Sequence, residues 1–268
     1  VRSMLFGLAT DGDVECPIFN EEEVTLMRRS MAGEFEPLAG DTRVAADVSG
    51  TGESDPMVVG LRHGTEVLHL KEHKGMNDIA QAEYLVNFCT GLKIGAFQCC
   101  IDGMGIGASV ANRMEQTLNF PGLNRFLANN SPTFNFQFAD RYTELHWVIK
   151  DLLSYQVLKI PWCPDLLTDM RQRQFYMMPT GKIKTEPKPK HRKRTGRSPD
   201  FLDLMVYLFS DIQIARIRRG EGLHTRSTPR QVTESPYLDA HGANYKTKIM
   251  QGLQVQPKLA SLIAAKQI

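Results

Sequence analysis

Two short apolar segments of this chain each end on an aspartate that opens into a glycine-rich turn: RVAADVSGTG, closed by Asp47, and AFQCCIDGMG, closed by Asp102. Runs of about four to eight β-branched or small apolar residues bounded by Gly, Ser, Asp and Pro mark strands. An acid at a strand's last residue, facing a turn that lets other backbone come close, suits a sheet whose strand ends border a crevice. That pairing constrains the chain to an α/β arrangement.

The surrounding patterns agree. MVVGLR and EVLHLK form two further strands, so the first three strands make an antiparallel meander. NDIAQAEYLVNFCTG has apolar residues at helical spacing (Ile79, Ala82, Leu85, Val86, Cys89), with Asn77 as N-cap and Gly91 as stop. AFQCCID is a strand, ASVANRMEQTL a helix, and FNFQF reads as a fifth strand. DRYTELHWVIKDLL is a helix with a stripe through Tyr142, Leu145, Val148, Ile149 and Leu152, and Trp147 on it is a core residue. CPDLLTDMRQRQ is a short helix, and FYMMP and KIKTE are the arms of a hairpin around Thr180 and Gly181. SPDFLDLMVYLFSDI is a helix with Ser198 as cap, Pro199 at its first position and Asp200 in its first turn. The fold class is α/β: a mixed sheet, antiparallel meander plus parallel strands, with helices on its faces. Residues 1–40, with weak periodicity and one short helix at EEEVTLMRRSM, read as a linker or docking segment. Residues 41–221 form the domain, and 222–268 a polar C-terminal tail that is a candidate for binding a partner.

Some classes of function are disfavoured. No apolar run approaches the roughly 18 residues of a membrane helix, and the N-terminus lacks the pattern of a signal peptide. The five cysteines include no CxxC pair, which argues against a disulfide framework and a cysteine zinc site. His63, His69 and His73 fit no metal spacing and read as surface residues. No GxxxxGK[ST] or GxSxG motif exists, and DGMGIGAS has GxGxG where a dinucleotide fingerprint needs GxGxxG.

What remains is acidic chemistry. Asp47 and Asp102 stand at strand ends; Asp203 and Asp200 lie three apart on one helix, a spacing that shares a face. Asp55 closes the first glycine turn. Converged carboxylates repel one another unless a cation neutralises them, and hard oxygen ligands suit Mg²⁺ or Mn²⁺. Two such ions about 4 Å apart support phosphodiester hydrolysis. Each acid alone is equally an ordinary turn or helix-start residue. The stretch from Lys182 to Arg197 supplies Lys182, Lys184, Lys188, Lys190, Arg192, Lys193, Arg194 and Arg197, a candidate phosphate-contacting run or else a solvated loop.

Together, ADVSGTGESD, CIDGMGIGASVANRM, DRYTELHWVIKDLL, GKIK and RSPDFLD resemble the nuclease domain of tailed-phage large terminase subunits, over residues 41–212. The resemblance implies an RNase H-like fold and a metal-dependent endonuclease that cuts double-stranded DNA during genome packaging. It implies that Asp47, Asp102 and Asp203 hold two Mg²⁺ or Mn²⁺ ions, with Asp200 and Asp55 beside them. It also implies a packaging ATPase domain outside this chain, the portal and small terminase subunit as partners, no membrane, and the bacterial host cytoplasm as location. Two alternatives stand: a DNA- or portal-binding module without catalysis, and a relative of the actin and sugar-kinase ATPases, whose first phosphate loop DVSGTG also resembles.

Overall fold

The computed structural model describes residues 15–50 and 56–213; Asp55 and the tail from 222 fall outside them. A short strand β1 (Cys16–Pro17) leads into helix α1 (Glu21–Met31). Strands β2 (Thr42–Asp47), β3 (Met57–His63) and β4 (Glu66–His73) follow, then α2 (Asp78–Gly91), β5 (Cys99–Asp102), α3 (Gly105–Gln116) and β6 (Asn124–Phe126). Helices α4 (Arg141–Ser154) and α5 (Pro164–Gln172), the hairpin β7 (Gln174–Met177) and β8 (Ile183–Thr185), and helices α6 (Lys188–Thr195) and α7 (Asp200–Leu208) complete the unit.

The main sheet has the order β4-β3-β2-β5-β6. The β2–β3 and β3–β4 pairs are antiparallel; β2–β5 and β5–β6 are parallel. This is the expected mixed sheet. Its last strand is not FNFQF but Asn124–Phe126, placed beside β5 by the α3 crossover. FNFQF forms turns, with Phe138 buried and bridged to Ile183 while Phe136 stays exposed.

Side-chain alternation divides the core in two. Val44, Ala46, Val59 and Ile101 pack with Leu85, Phe88, Val110 and Met114 of α2 and α3. Ala45, Val58 and Cys100 face the opposite way, toward Leu202, Leu204 and Leu208 of α7 and Leu145, Val148 and Ile149 of α4. Every residue of α7 from Phe201 to Leu208 is buried, the pattern of a core helix rather than a surface one. It approaches the sheet closely because Gly60 faces it: a Cβ there would lie 2.6 Å from Leu208 Cδ1. At the far end of α7, the buried Arg62 guanidinium donates to Leu208 O at 2.5 Å and pairs with Asp211.

Three local expectations are corrected. Part of the stretch assigned to a linker packs into the main core: Ile18, Phe19, Val24, Met27 and Phe35 are buried there, and β1 pairs with β7. Helix α1 is held by a capping box of Asn20 and Glu23, with acids in its first turn and Arg28 and Arg29 in its last. His69 and His73 are half-buried, their rings tilted against Phe88 and Tyr84, and burial pushes the pKa of His69 down to about 4. Ser198 does not cap α7; its N-cap is Pro199, which accepts no hydrogen bond through its side chain.

Candidate metal and nucleic-acid site

The strand register aims the first two acids. In the parallel pair β2–β5, Ala45 lies opposite Cys100 and Ala46 opposite Ile101, so Asp47 and Asp102 each come next in line. Both therefore share the face of Ala45 and Cys100, the face covered by α7. The first turn of that helix carries Asp200 and Asp203. Asp203 is fully buried, Asp47 nearly so, and Asp102 and Asp200 are partly exposed. Three segments far apart in the chain thus bring acids to one end of the sheet.

Asp102 also shapes the helix that follows it. Its Oδ1 accepts from Met104 N at 3.0 Å. Gly107, in the first turn of α3, allows that turn to lie against it: a Cβ there would be 2.3 Å from Asp102 O.

A cation stands between two of the acids. Lys188, the first residue of α6, places Nζ 2.5 Å from Asp203 Oδ2 and 3.6 Å from Asp47 Oδ2. On the other side of Asp203, the Tyr142 hydroxyl donates to Oδ1. The buried Arg173 in turn donates to Tyr142 Oη at 2.8 Å.

These surroundings drive the acids apart. Burial raises Asp47 to about 7, with Asp203, Asp200 and Asp102 adding repulsion and Lys188 opposing it. Burial also raises Asp102. Burial acts the same way on Asp203, but the charges of Lys188 and Arg173 and the bonds from Lys188 and Tyr142 outweigh it, leaving Asp203 below its ordinary value. Carboxylates whose environments separate their pKa values are a hallmark of functional sites. Among the described residues, no three acidic, histidine or cysteine side chains are grouped closely enough to hold one metal ion as they stand. The cation requirement is met here by the Lys188 ammonium, and the oxygen donors flanking it are those a hard divalent ion takes.

The basic run is a helix rather than a loop over Lys188–Thr195, and Glu186 within the run, with acids distant in sequence, holds much of it. Arg194 binds Glu186, which also accepts from buried His191 at 2.8 Å. Arg197 pairs with Asp165 at 3.1 Å and Asp169 at 3.0 Å, and Lys190 pairs with Glu15. Gly196 ends the helix in the left-handed conformation. Lys182 and Lys184 flank or lie on β8, and Arg192 and Lys193 are exposed. Lys188, expected to contact DNA, faces the acids instead.

Sequence patterns do not single out Tyr142 and Arg173, linked to Asp203, or Asp169, paired with Arg197. Tyr142 falls on an apolar stripe, and nothing local marks Arg173 within RQRQ or Asp169 within PDLLTDM.

No protein-family model matches the sequence, and no curated protein does. Solved structures do match. The nuclease domain of the large terminase subunit gp2 of bacterial virus Sf6 aligns with a TM-score of 0.60 at 18% identity, covering 71% of this chain and 98% of that one. The chain has the fold of a phage large-terminase nuclease domain. A lysine-to-alanine variant of the Sf6 terminase domain with calcium gives the same TM-score, 0.60, at 18% identity, with 71% and 97% covered. The corresponding variant with manganese gives 0.59 at 17% identity over 71% and 97%. The RNase H-like mixed sheet expected of the terminase-nuclease fold is the sheet observed.

Proposed function

We propose that this chain is a divalent-cation-dependent endonuclease that cuts double-stranded DNA in phage genome packaging. One observation carries the reading: Asp47, Asp102 and Asp203 are brought to the α7 face of one sheet end, with an ammonium ion-paired to two of them. Structures of a lysine-to-alanine variant of the Sf6 domain with calcium and with manganese are consistent with divalent-ion binding by this fold.

In this reading Asp47, Asp102 and Asp203 hold two Mg²⁺ or Mn²⁺ ions, with Asp200 and Asp55 as neighbouring acids. Such ions activate water and stabilise the leaving oxygen of a phosphodiester. The chain's own residues do the rest. Tyr142 and Arg173 hold the Asp203 carboxylate ionised and oriented. Lys188 neutralises the acids when they are metal-free and yields to a cation of higher charge. The exposed side of α6, with Arg192 and Lys193, together with Lys182 and Lys184, contacts backbone phosphates without reading sequence. Portal, small terminase subunit and a packaging ATPase domain are the proposed partners, in the host cytoplasm. Among the described residues no helix is long and apolar enough to cross a membrane.

Incubation of supercoiled plasmid with the protein and Mn²⁺ tests this. The parent nicks and linearises the plasmid, and Asp47→Ala abolishes cutting. Undiminished cutting by Asp47→Ala refutes the site. DNA binding by the parent without cleavage favours the non-catalytic DNA- or portal-binding module. A thermal shift with ATP and Mg²⁺ and none with Mn²⁺ alone favours the ATPase relative.

A further inference from the structure

Helix α7 has no capping side chain of its own, since its N-cap is Pro199. The first N–H groups of a helix nonetheless need acceptors when buried. Here the acceptor comes from α5. Asp169 Oδ2 accepts from Phe201 N at 3.1 Å and from Leu202 N at 3.3 Å. Its other oxygen lies 3.0 Å from Arg197 Nη2, just before the helix. Asp169 is fully buried, so this carboxylate has exchanged water for these three contacts.

The turn it grips is the one that carries the acids. Asp203 N donates to Pro199 O at 2.9 Å, so the peptide units from Pro199 to Asp203 form a single helical turn. With Asp169 bound to two of its N–H groups and to Arg197 before it, that turn cannot rotate about the helix axis without breaking them. Asp203 projects from it toward Lys188 and Tyr142.

We propose that Asp169 is a positioning residue for the metal site: it fixes the rotation of the first turn of α7 and hence the direction of Asp203, without touching an ion. This rests on the metal-site reading above. An ordinary cap contributes stability alone; a cap one turn from a metal-binding acid also sets the acid's aim, and outer-sphere partners of this kind are typically worth about 10- to 100-fold in metal affinity.

The test reads metal binding apart from turnover. Ca²⁺ affinity is measured by calorimetry, and DNA affinity by fluorescence anisotropy without divalent ions. Asp169→Ala is expected to weaken Ca²⁺ binding by about tenfold or more while leaving metal-free DNA affinity within about twofold. Asp169→Asn keeps an oxygen for Phe201 and Leu202 and is expected to restore most of the Ca²⁺ affinity. Should Asp169→Ala not fold, Asp169→Glu carries the same test, because its longer arm keeps the charge but displaces the acceptor oxygens. Ca²⁺ affinity equal to the parent's in a folded Asp169→Ala or Asp169→Glu overturns the proposal alone. A parent that binds no Ca²⁺ overturns the metal site and this proposal together.

Discussion

The Lys188 ammonium lies 2.5 Å from a carboxylate oxygen of Asp203, a residue with no exposed surface. Asp47, 3.6 Å away on the other side, shares the same positive charge. A divalent ion entering here competes with that charge. Lys188→Ala should therefore lower the metal-free Tm, because two buried acids lose their counter-ion, and should tighten Mn²⁺ binding by about tenfold. The check is the Mn²⁺-induced rise in Tm, expected to be larger for the variant than for the parent; an equal or smaller rise contradicts it.

Asp47 gives a pH dependence. Its folded value of about 7 exceeds its ordinary 3.8, so between those values the folded state binds more protons than the unfolded. Its ionisation opposes folding, and its contribution to stability declines as pH rises from about 4 to about 7. Buried histidines such as His146 and His69 act in the opposite direction, so the effect is isolated by difference. The Tm advantage of Asp47→Asn over the parent should grow from about pH 5 to about pH 8. For the same reason, Mn²⁺ affinity of the parent should fall as pH drops below about 7.

Tyr142→Phe deletes the hydroxyl that donates to Asp203. A buried carboxylate oxygen left without its donor loses about 1–3 kcal/mol. Asp203 has a depressed value, so its contribution is present above 3.8 and is lost as pH falls through the lower, folded value. The loss in Tm should thus be full at neutral pH and shrink in strong acid. A pH-independent loss points to packing rather than to the carboxylate.

Gly60→Val pushes a branched side chain into the space 2.6 Å from Leu208 Cδ1 and 3.2 Å from Leu204 Cδ2. Overpacking of this kind is worth about 1–3 kcal/mol, a fall of several degrees in Tm. Because the same helix carries Asp203, Ca²⁺ affinity should fall with it. Wild-type affinity in the destabilised variant would separate the helix's packing from the aim of its acid.

On the basic helix, Arg192 and Lys193 are exposed next to Arg194, which binds Glu186. Replacing both Arg192 and Lys193 by Gln should weaken DNA binding and reduce the slope of log K against log salt by about 0.9 for each phosphate no longer neutralised. Arg194→Gln should chiefly lower Tm. An unchanged salt slope in the double variant returns that face to simple solvation.

Much of the fold, and the convergence of the acids in the candidate site, is legible in the sequence, for physical reasons that differ by element. Strands β2, β3 and β5 carry runs of buried residues that only a two-sided sheet accommodates, and the acids closing β2 and β5 stand out against them. Strand β6, in contrast, is the polar tripeptide NRF at a sheet edge; its place comes from pairing with β5, not from its own pattern. FNFQF alternates as a strand does, yet tertiary packing uses Phe138 as a plug and leaves Phe136 in solvent. The basic run carries a helix whose charges are partly met by Glu186 within the run and by Glu15 from far along the chain, while Asp165 and Asp169 hold Arg197 just after it. Tyr142, Arg173 and Asp169 are hidden for the same reason: their roles exist only across separations of 31 to 61 residues in sequence.

The pairing of Ala45 with Cys100 makes the positions of Asp47 and Asp102 a matter of phase. That phase is set by the strands themselves and not by the loops that follow them. Within β2 or β5, inserting or deleting one residue before the aspartate turns it toward α2 and α3, whereas a change of two keeps its side and only slides it along the strand. Variation in the length of these strands should thus come in even steps, and an odd step marks a chain that has given up its acid pair.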